Sequence, residues 1–153
     1  MNLILLLFLH ILHPTIESCD MSTVRANFNR GNASSELLEE HITSMEAMTC
    51  ETAEPYLACA IMQRAEHSIW PPYQLKYFNL GKDRLEEYIS TYPQDIEARY
   101  VRLLVQKGSP GFLGYCGNIS EDATFILDNL HKSKEKEEFK EEMRNAAKEN
   151  LIK

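Results

Sequence analysis

The sequence predicts an all-α protein, with antiparallel helical hairpins packed into a bundle of about six to seven helices. Three observations support this. Apolar residues recur at steps of three and four through most of the chain after residue 20, the period of one helix face. No segment sustains the alternation of a half-buried strand followed by a hairpin turn. Gly31, Pro71, Pro72, Pro93, Gly108 and Pro110 punctuate the periodic stretches, where breakers belong.

The chain opens on an apolar segment, Leu3 to Leu12, interrupted only by His10. That is well short of the ~20 residues a helix needs to cross a bilayer. It has the form of a secretory h-region, although Asn2 follows the initiator and only the amino terminus supplies positive charge. Cleavage after Ser18 places Ile16 and Ser18 where small side chains are wanted. Alternatively, Ile16, Glu17, Ser18 and Cys19 resemble a bacterial lipobox with Glu17 off pattern, which makes Cys19 the lipidated residue. A third reading keeps the segment as an uncleaved, buried first helix. Residues 1–18 are assigned to the signal peptide and residues 19–153 to a single helical domain. The expected location is the periplasm or cell envelope, with membrane anchoring through Cys19 as a variant.

Met21, Val24 and Phe28 predict a short opening helix ended by Gly31. Leu38, Ile42, Met45 and Met48 share one face of a second helix, with Glu36, Glu39 and Glu40 near its start, where the helix dipole favours acids. Thr52 is positioned to cap a third helix, and Pro55 is tolerated there because first-turn amides have no intrahelical acceptor. Ala53, Ala58, Ala60 and Ala65 make that helix thin enough for a close crossing. Pro71 and Pro72 introduce a fourth helix with the stripe Leu75, Phe78, Leu85, Ile89 and Tyr92. Gly81 at its middle costs ~1 kcal/mol relative to alanine, which implies either a backbone passing closely or a loose stretch.

Pro93 ends the fourth helix, and Asp95 or Gln94 begins a fifth carrying Ile96, Tyr100, Leu103 and Leu104. Asn118 and Glu121 form a capping-box pattern ahead of Ile119, Ala123, Ile126, Leu127 and Leu130. A charged C-terminal helix within residues 132–153 is marked by Phe139, Met143, Ala147 and Leu151. Beside that seam Lys132, Lys136, Lys140, Arg144 and Lys148 recur every four residues. Such an edge suits an anionic membrane surface, but the interspersed glutamates favour a soluble helix docked by its seam.

With 153 residues, 44% hydrophobic and 25% charged, the chain fits one core of ordinary size. Its net charge is −7, and removal of residues 1–18 takes away only Glu17, leaving −6. A polyanion is repelled by that charge, so no nucleic acid partner is expected. Cys19, Cys50, Cys59 and Cys116 include no CxxC and no histidine at ligand spacing, so no metal site is expected. Cys50 and Cys59 flank a helix start and are the expected disulfide partners; the competing reading buries the three non-lipidated cysteines as small apolar residues.

The main polar constellation is Asp95, Arg99, Arg102 and Gln106, one stripe along the fifth helix. Asp95 and Arg99 stand at i,i+4, the spacing of a helix-face ion pair. Two guanidinium groups one turn apart suit an anion or peptide-carboxylate clamp, with Gln106 and Tyr115 as further contacts. The competing reading is a solvated face, or a bridge from the arginines to Glu97 or Asp122 that locks two helices. The GFLGYCG segment, with Gly111, Gly114 and Gly117, lacks the Lys-Ser/Thr of a phosphate cradle. It reads as a tight connection packing Phe112, Leu113 and Tyr115 onto the core. Trp70, Tyr73 and Tyr77 read as core residues rather than a ligand platform. No nucleophile–base couple or catalytic carboxylate pair is visible, and His41, His67 and His131 are spaced for no local acid–base pair. No catalytic residue and no cofactor are expected, and the chain reads as non-enzymatic.

Tyr92-Pro93 followed by Gln94-Asp95-Ile96-Glu97-Ala98 gives one tetratricopeptide-like boundary, without a second copy at the 34-residue period of such repeats. A broader likeness runs through Tyr77-Phe78-Asn79-Leu80-Gly81-Lys82, Leu85-Glu86 and Ile89. It continues through Pro93, Glu97, Arg99, Arg102-Leu103, Gln106, Pro110, Phe112-Leu113, Tyr115, Ile119 and Asp122. In this order, over roughly Leu37 to Asn129, the chain resembles a family of short exported helical proteins of flavobacteria and related Bacteroidetes. The resemblance implies a helical, envelope-directed protein and supplies no substrate. The expected function is an exported binding or scaffold protein with a protein or peptide partner. The alternatives are a small-ligand or anion carrier or enzyme using the Arg99/Arg102 face, and a purely structural helical module.

Overall fold

The computed structural model describes residues 19–31 and 33–151, so the signal-peptide assignment to residues 1–18 lies outside the described residues. Among the described residues seven α-helices follow in order: α1 Met21–Gly31, α2 Ser35–Ala47, α3 Glu54–Gln63, α4 Pro71–Thr91, α5 Ile96–Gly108, α6 Ile119–Asn129 and α7 Glu137–Leu151. Short 3-10 turns precede α3 and α6 and follow α6, and no strand occurs among the described residues.

Most helix starts follow from local chemistry. At α1, Asp20 accepts from the amides and hydroxyls of Ser22 and Thr23, and these bonds hold its carboxyl down at about 2. Ser34 caps α2 through the Leu37 amide at 3.2 Å, and Asp95 caps α5 through the Ala98 amide at 3.0 Å. Pro71 and Pro72 occupy the first turn of α4, where a missing amide proton costs nothing.

Two expected caps are corrected. Thr52 lies within the 3-10 turn Glu51–Ala53 and does not cap α3; the cap position falls on Ala53, without a side-chain bond. The Asn118–Glu121 capping box does not close on α6, because the Asn118 side-chain oxygen accepts from Gln106 instead.

Two apolar clusters share α5. Val24, Leu38, Ile42, Tyr56, Ile61 and Leu85 belong to the first cluster, which α5 joins through Ala98 and Val101. Tyr100 and Leu103 face the other way and join Ala123, Ile126, Met143 and Ala147 of α6 and α7. The most extensive helix contact is α3 on α4, then α6 on α7 and α5 on α6, the neighbour pairing expected of helices joined by short connections. The α3–α4 approach is close because Ala58 and Ala60 are small and Gly81 carries no side chain. A Cβ on Gly81 would overlap the Ala58 carbonyl oxygen and lie 2.6 Å from Met62 Cγ and 2.9 Å from its amide nitrogen. The buried face of α4 is Phe78, Gly81, Leu85, Tyr88 and Ile89. Leu75 and Tyr92, expected in the stripe, are exposed; they lie at the two ends of α4, Leu75 near its start and Tyr92 at its C-cap.

Cys19 and Cys50 form a disulfide with Cα atoms 5.5 Å apart, tying the start of α1 to the turn ahead of α3. This corrects the expected Cys50–Cys59 pair. Cys59 sits mid-helix in α3 and faces the first cluster, and burial pushes its thiol up to about 12. Thr52 Oγ1 lies 3.3 Å from the Cys19 sulfur and 3.2 Å from that of Cys50. Thioether lipidation of Cys19 needs the same sulfur atom, so that modification and this disulfide are mutually exclusive.

Candidate functional site

Arg99, Arg102, Gln106 and Tyr115, expected to form a surface clamp, are brought together, but inside the joint between α4, α5 and α6. Arg102 donates from Nε and Nη2 to the two carboxylate oxygens of Asp122, each at 2.7 Å, and from Nη1 to Glu86 at 2.8 Å. Arg99 donates to the same Asp122 at 2.9 Å, to Glu121 at 2.8 Å and to the Pro93 carbonyl at 3.3 Å, with its guanidinium over Phe125. Tyr115 donates its hydroxyl to Glu86. Gln106 accepts the Asn118 amide at 2.9 Å and donates to the Asn118 side chain at 3.2 Å.

Of the two readings of the stripe, the structure shows the bridge from the arginines to Asp122 that locks two helices, and the surface clamp is corrected. The Arg102 side chain is 5% exposed and that of Asp122 0%, so no ligand carboxylate reaches the donors already committed to Asp122. Burial by itself would lower the Arg102 pKa, but the Asp122 carboxylate outweighs it and the net shift is upward. Asp95 makes no pair with Arg99; it caps α5 and accepts the Tyr88 hydroxyl at 2.8 Å.

Sequence reasoning missed a second network on the opposite side of α5. Arg25 grips Glu97 with two bonds of 2.6 Å, reaches Glu135 at 2.9 Å and lies 4.2 Å from the Phe139 ring centroid. Tyr56 adds a 2.7 Å bond to Glu97, and burial followed by that carboxylate raises its pKa. These partners stand 72, 110 and 41 residues apart in sequence, so no local spacing pointed to them. Their effect is to tie α1, α3 and α5 to the segment ahead of α7.

The exposed features lie elsewhere. The segment joining α3 to α4 presents Ile69 at 100% exposure and Trp70 at 59%, with Tyr73 following at 52%. Trp70 and Tyr73, expected in the core, are at the surface, because α4 turns its Phe78 and Leu85 face inward. Tyr73 borders a cleft of about 290 Å³ between the start of α2 and the first half of α4, lined by Ser35, Glu39, Arg64, His67, Ser68 and Tyr77 among others; Ile69 and Trp70 follow Ser68 in the chain. Arg64 and Glu39 form a two-pronged ion pair across it, at 2.6 and 2.5 Å. A second cleft of about 260 Å³, beside Met45, Met48 and Cys50, is bordered by a two-pronged Arg84–Glu54 pair.

In the glycine-rich connection, Leu113 and Tyr115 pack on the first cluster as expected, whereas Phe112 is 87% exposed. Gly114 adopts φ +64°, a left-handed conformation that suits glycine, and closes the turn around it. His41 is buried without a partner for Nε2, and burial lowers its pKa. On the basic edge of α7, Lys140 and Arg144 pair with Glu137, and Arg144 also with Glu141. Among the described residues no group of three potential ligands is placed to hold a metal ion, and no helix is long and apolar enough to cross a membrane.

Compared with protein-family models, curated proteins and solved structures, the chain matches none.

Proposed function

We propose that this chain is an exported helical binding protein of the cell envelope that meets a protein or peptide partner at the α3–α4 corner. The observation that carries this reading is the group of large apolar side chains at that corner. Ile69, Trp70 and Tyr73 stand in solvent beside a concave cleft, while the arginine stripe is occupied within the fold. Isolated exposed apolar residues are ordinary, but a cluster beside a cleft marks a contact surface. The Cys19–Cys50 disulfide supports export, since such bonds persist in oxidising compartments and are rare in the cytosol. It also favours a released form over a lipid-anchored one. The likeness to exported flavobacterial proteins points to the same compartment.

The test places a photo-crosslinking residue at Ile69, with the exposed Glu138 on α7 as the control position, in protein expressed with its leader. One partner captured from position 69 and not from 138, together with an intact mass beginning at Cys19, is the expected outcome. Equal capture at both positions, or at neither, overturns the contact face. A full-length mass confined to the cytosol overturns export.

A further inference from the structure

We propose that the contact face continues from the α3–α4 corner along a groove between α2 and α4, and that this groove takes an extended segment of a partner protein with a lysine or arginine seated at Glu46. It rests on the corner being the contact face and adds the path and the chemistry of what crosses it. α2 and α4 both pack on α3 and make at most marginal contact with each other, so α3 forms a floor between two walls. The two clefts are the ends of this trough. Glu39 of α2, Arg64 at the end of α3 and Tyr77 of α4 line the first. Glu46 of α2, Leu57 of α3 and Arg84 of α4 line the second. Along both walls residue numbers rise from the first cleft to the second, and along the floor they fall.

Charge selects the occupant. Arg64 is spent on Glu39 and Arg84 on Glu54, each through two bonds. Glu46 is exposed, lines the second cleft and has no ion-pair partner among the described residues. The surplus carboxylate is therefore a lining residue of the groove itself. Its charge reaches both guanidinium groups: bonds to Glu39 do most to raise the Arg64 pKa and bonds to Glu54 do most for Arg84, and Glu46 adds to each. A guest cation meets a carboxylate that no internal cation answers, whereas a guest anion finds both arginines committed. Met48 and Leu57 in the same cleft give the stem of a lysine or arginine an apolar surface. A metal ion is not favoured, since no group of three ligands is placed to hold one among the described residues. The floor helix has 10 residues, a length of about 15 Å. An extended chain covers that in about five residues. The apolar residue met by Trp70 and the basic residue met by Glu46 therefore stand about five apart in the partner.

The disulfide-bonded chain is panned against a random dodecapeptide library, and the recovered peptides are measured on it by fluorescence anisotropy. They should carry lysine or arginine about five residues from a large apolar residue. Glu46→Gln should weaken them about threefold and Glu46→Lys about tenfold. Thermal unfolding should stay unchanged in the glutamine variant, because the position is exposed and its carboxylate pairs with nothing among the described residues. Recovered peptides without a basic residue, or affinities that neither variant alters, overturn the basic site. Panning that enriches nothing overturns the groove. Trp70→Ala should weaken the same peptides as well. Peptides that respond to Glu46 and not to Trp70 overturn the continuity with the corner while upholding the basic site. Capture of a partner from Ile69 by a chain whose recovered peptides ignore Glu46 upholds the corner and overturns the groove.

Discussion

Replacing Arg102 by glutamine tests the assignment of the arginine stripe to the fold. The guanidinium makes two 2.7 Å bonds to Asp122 and one of 2.8 Å to Glu86. Without it Asp122, which has no exposed surface, keeps only Arg99 at 2.9 Å. Breaking a buried pair from one side costs ~3–5 kcal/mol, and the surviving Arg99 bond places this variant near ~3 kcal/mol. Glu86 adds little, because its side chain is 37% exposed and keeps the Tyr115 hydroxyl. With a urea slope of ~2 kcal/mol/M, the unfolding midpoint followed by far-UV circular dichroism should fall by ~1.5 M with the slope unchanged. Arg99→Gln added to Arg102→Gln removes both partners and should approach ~5 kcal/mol. A loss below ~0.5 kcal/mol in the double variant, the range of exposed substitutions, refutes the internal bridge and returns the stripe to the surface.

Gly81→Ala drives a Cβ into the Ala58 carbonyl and the Met62 backbone. Chemical denaturation should show a net loss, because ~1–3 kcal/mol of overpacking exceeds the ~1 kcal/mol gained in helix propensity; a more stable variant refutes the close crossing. Glu-C mapping without reductant should yield a peptide pair joined through Cys19 and Cys50, and Cys50→Ser should cost ~3–4 kcal/mol on the chain-entropy scale. A Cys50–Cys59 linked pair would contradict the fold. Burial lowers the His41 pKa below 6.5 in the folded state, so the unfolded chain binds the proton more readily and stability falls as pH drops through about 6.5. Denaturation midpoints between pH 7.5 and 5.5 should show that slope, and His41→Phe should flatten it; an unchanged slope in the variant assigns the effect to other groups.

Where helices begin and end was legible because those signals act over three or four residues. Pro71, Asp95 and Gly108 each report only on the backbone beside them, and the structure places each at a helix terminus. Gly81 was legible for a similar reason, since a glycine at the middle of a helix asks for a close neighbour. Side-chain partners were legible only in part: Asp122 stood among the candidates for the arginines, but Glu86 and the partners of Arg25 and Cys50 did not, because a guanidinium or a thiol carries no label for which distant group it will meet. Asp95 and Arg99 have the right spacing for a pair, yet Asp95 is taken by the Ala98 amide and Arg99 by a carboxylate 23 residues away. Cys50 passed over Cys59 for Cys19 because α3 turns Cys59 into the core. Periodicity placed Phe78, Leu85 and Ile89 on the inward side of α4 without showing how far along the helix its neighbours reach, which left Leu75, Trp70 and Tyr73 indistinguishable from core residues. Only the seating of α4 on α3 through Gly81 decided that this face is covered in the middle of the helix and that the aromatic corner faces solvent.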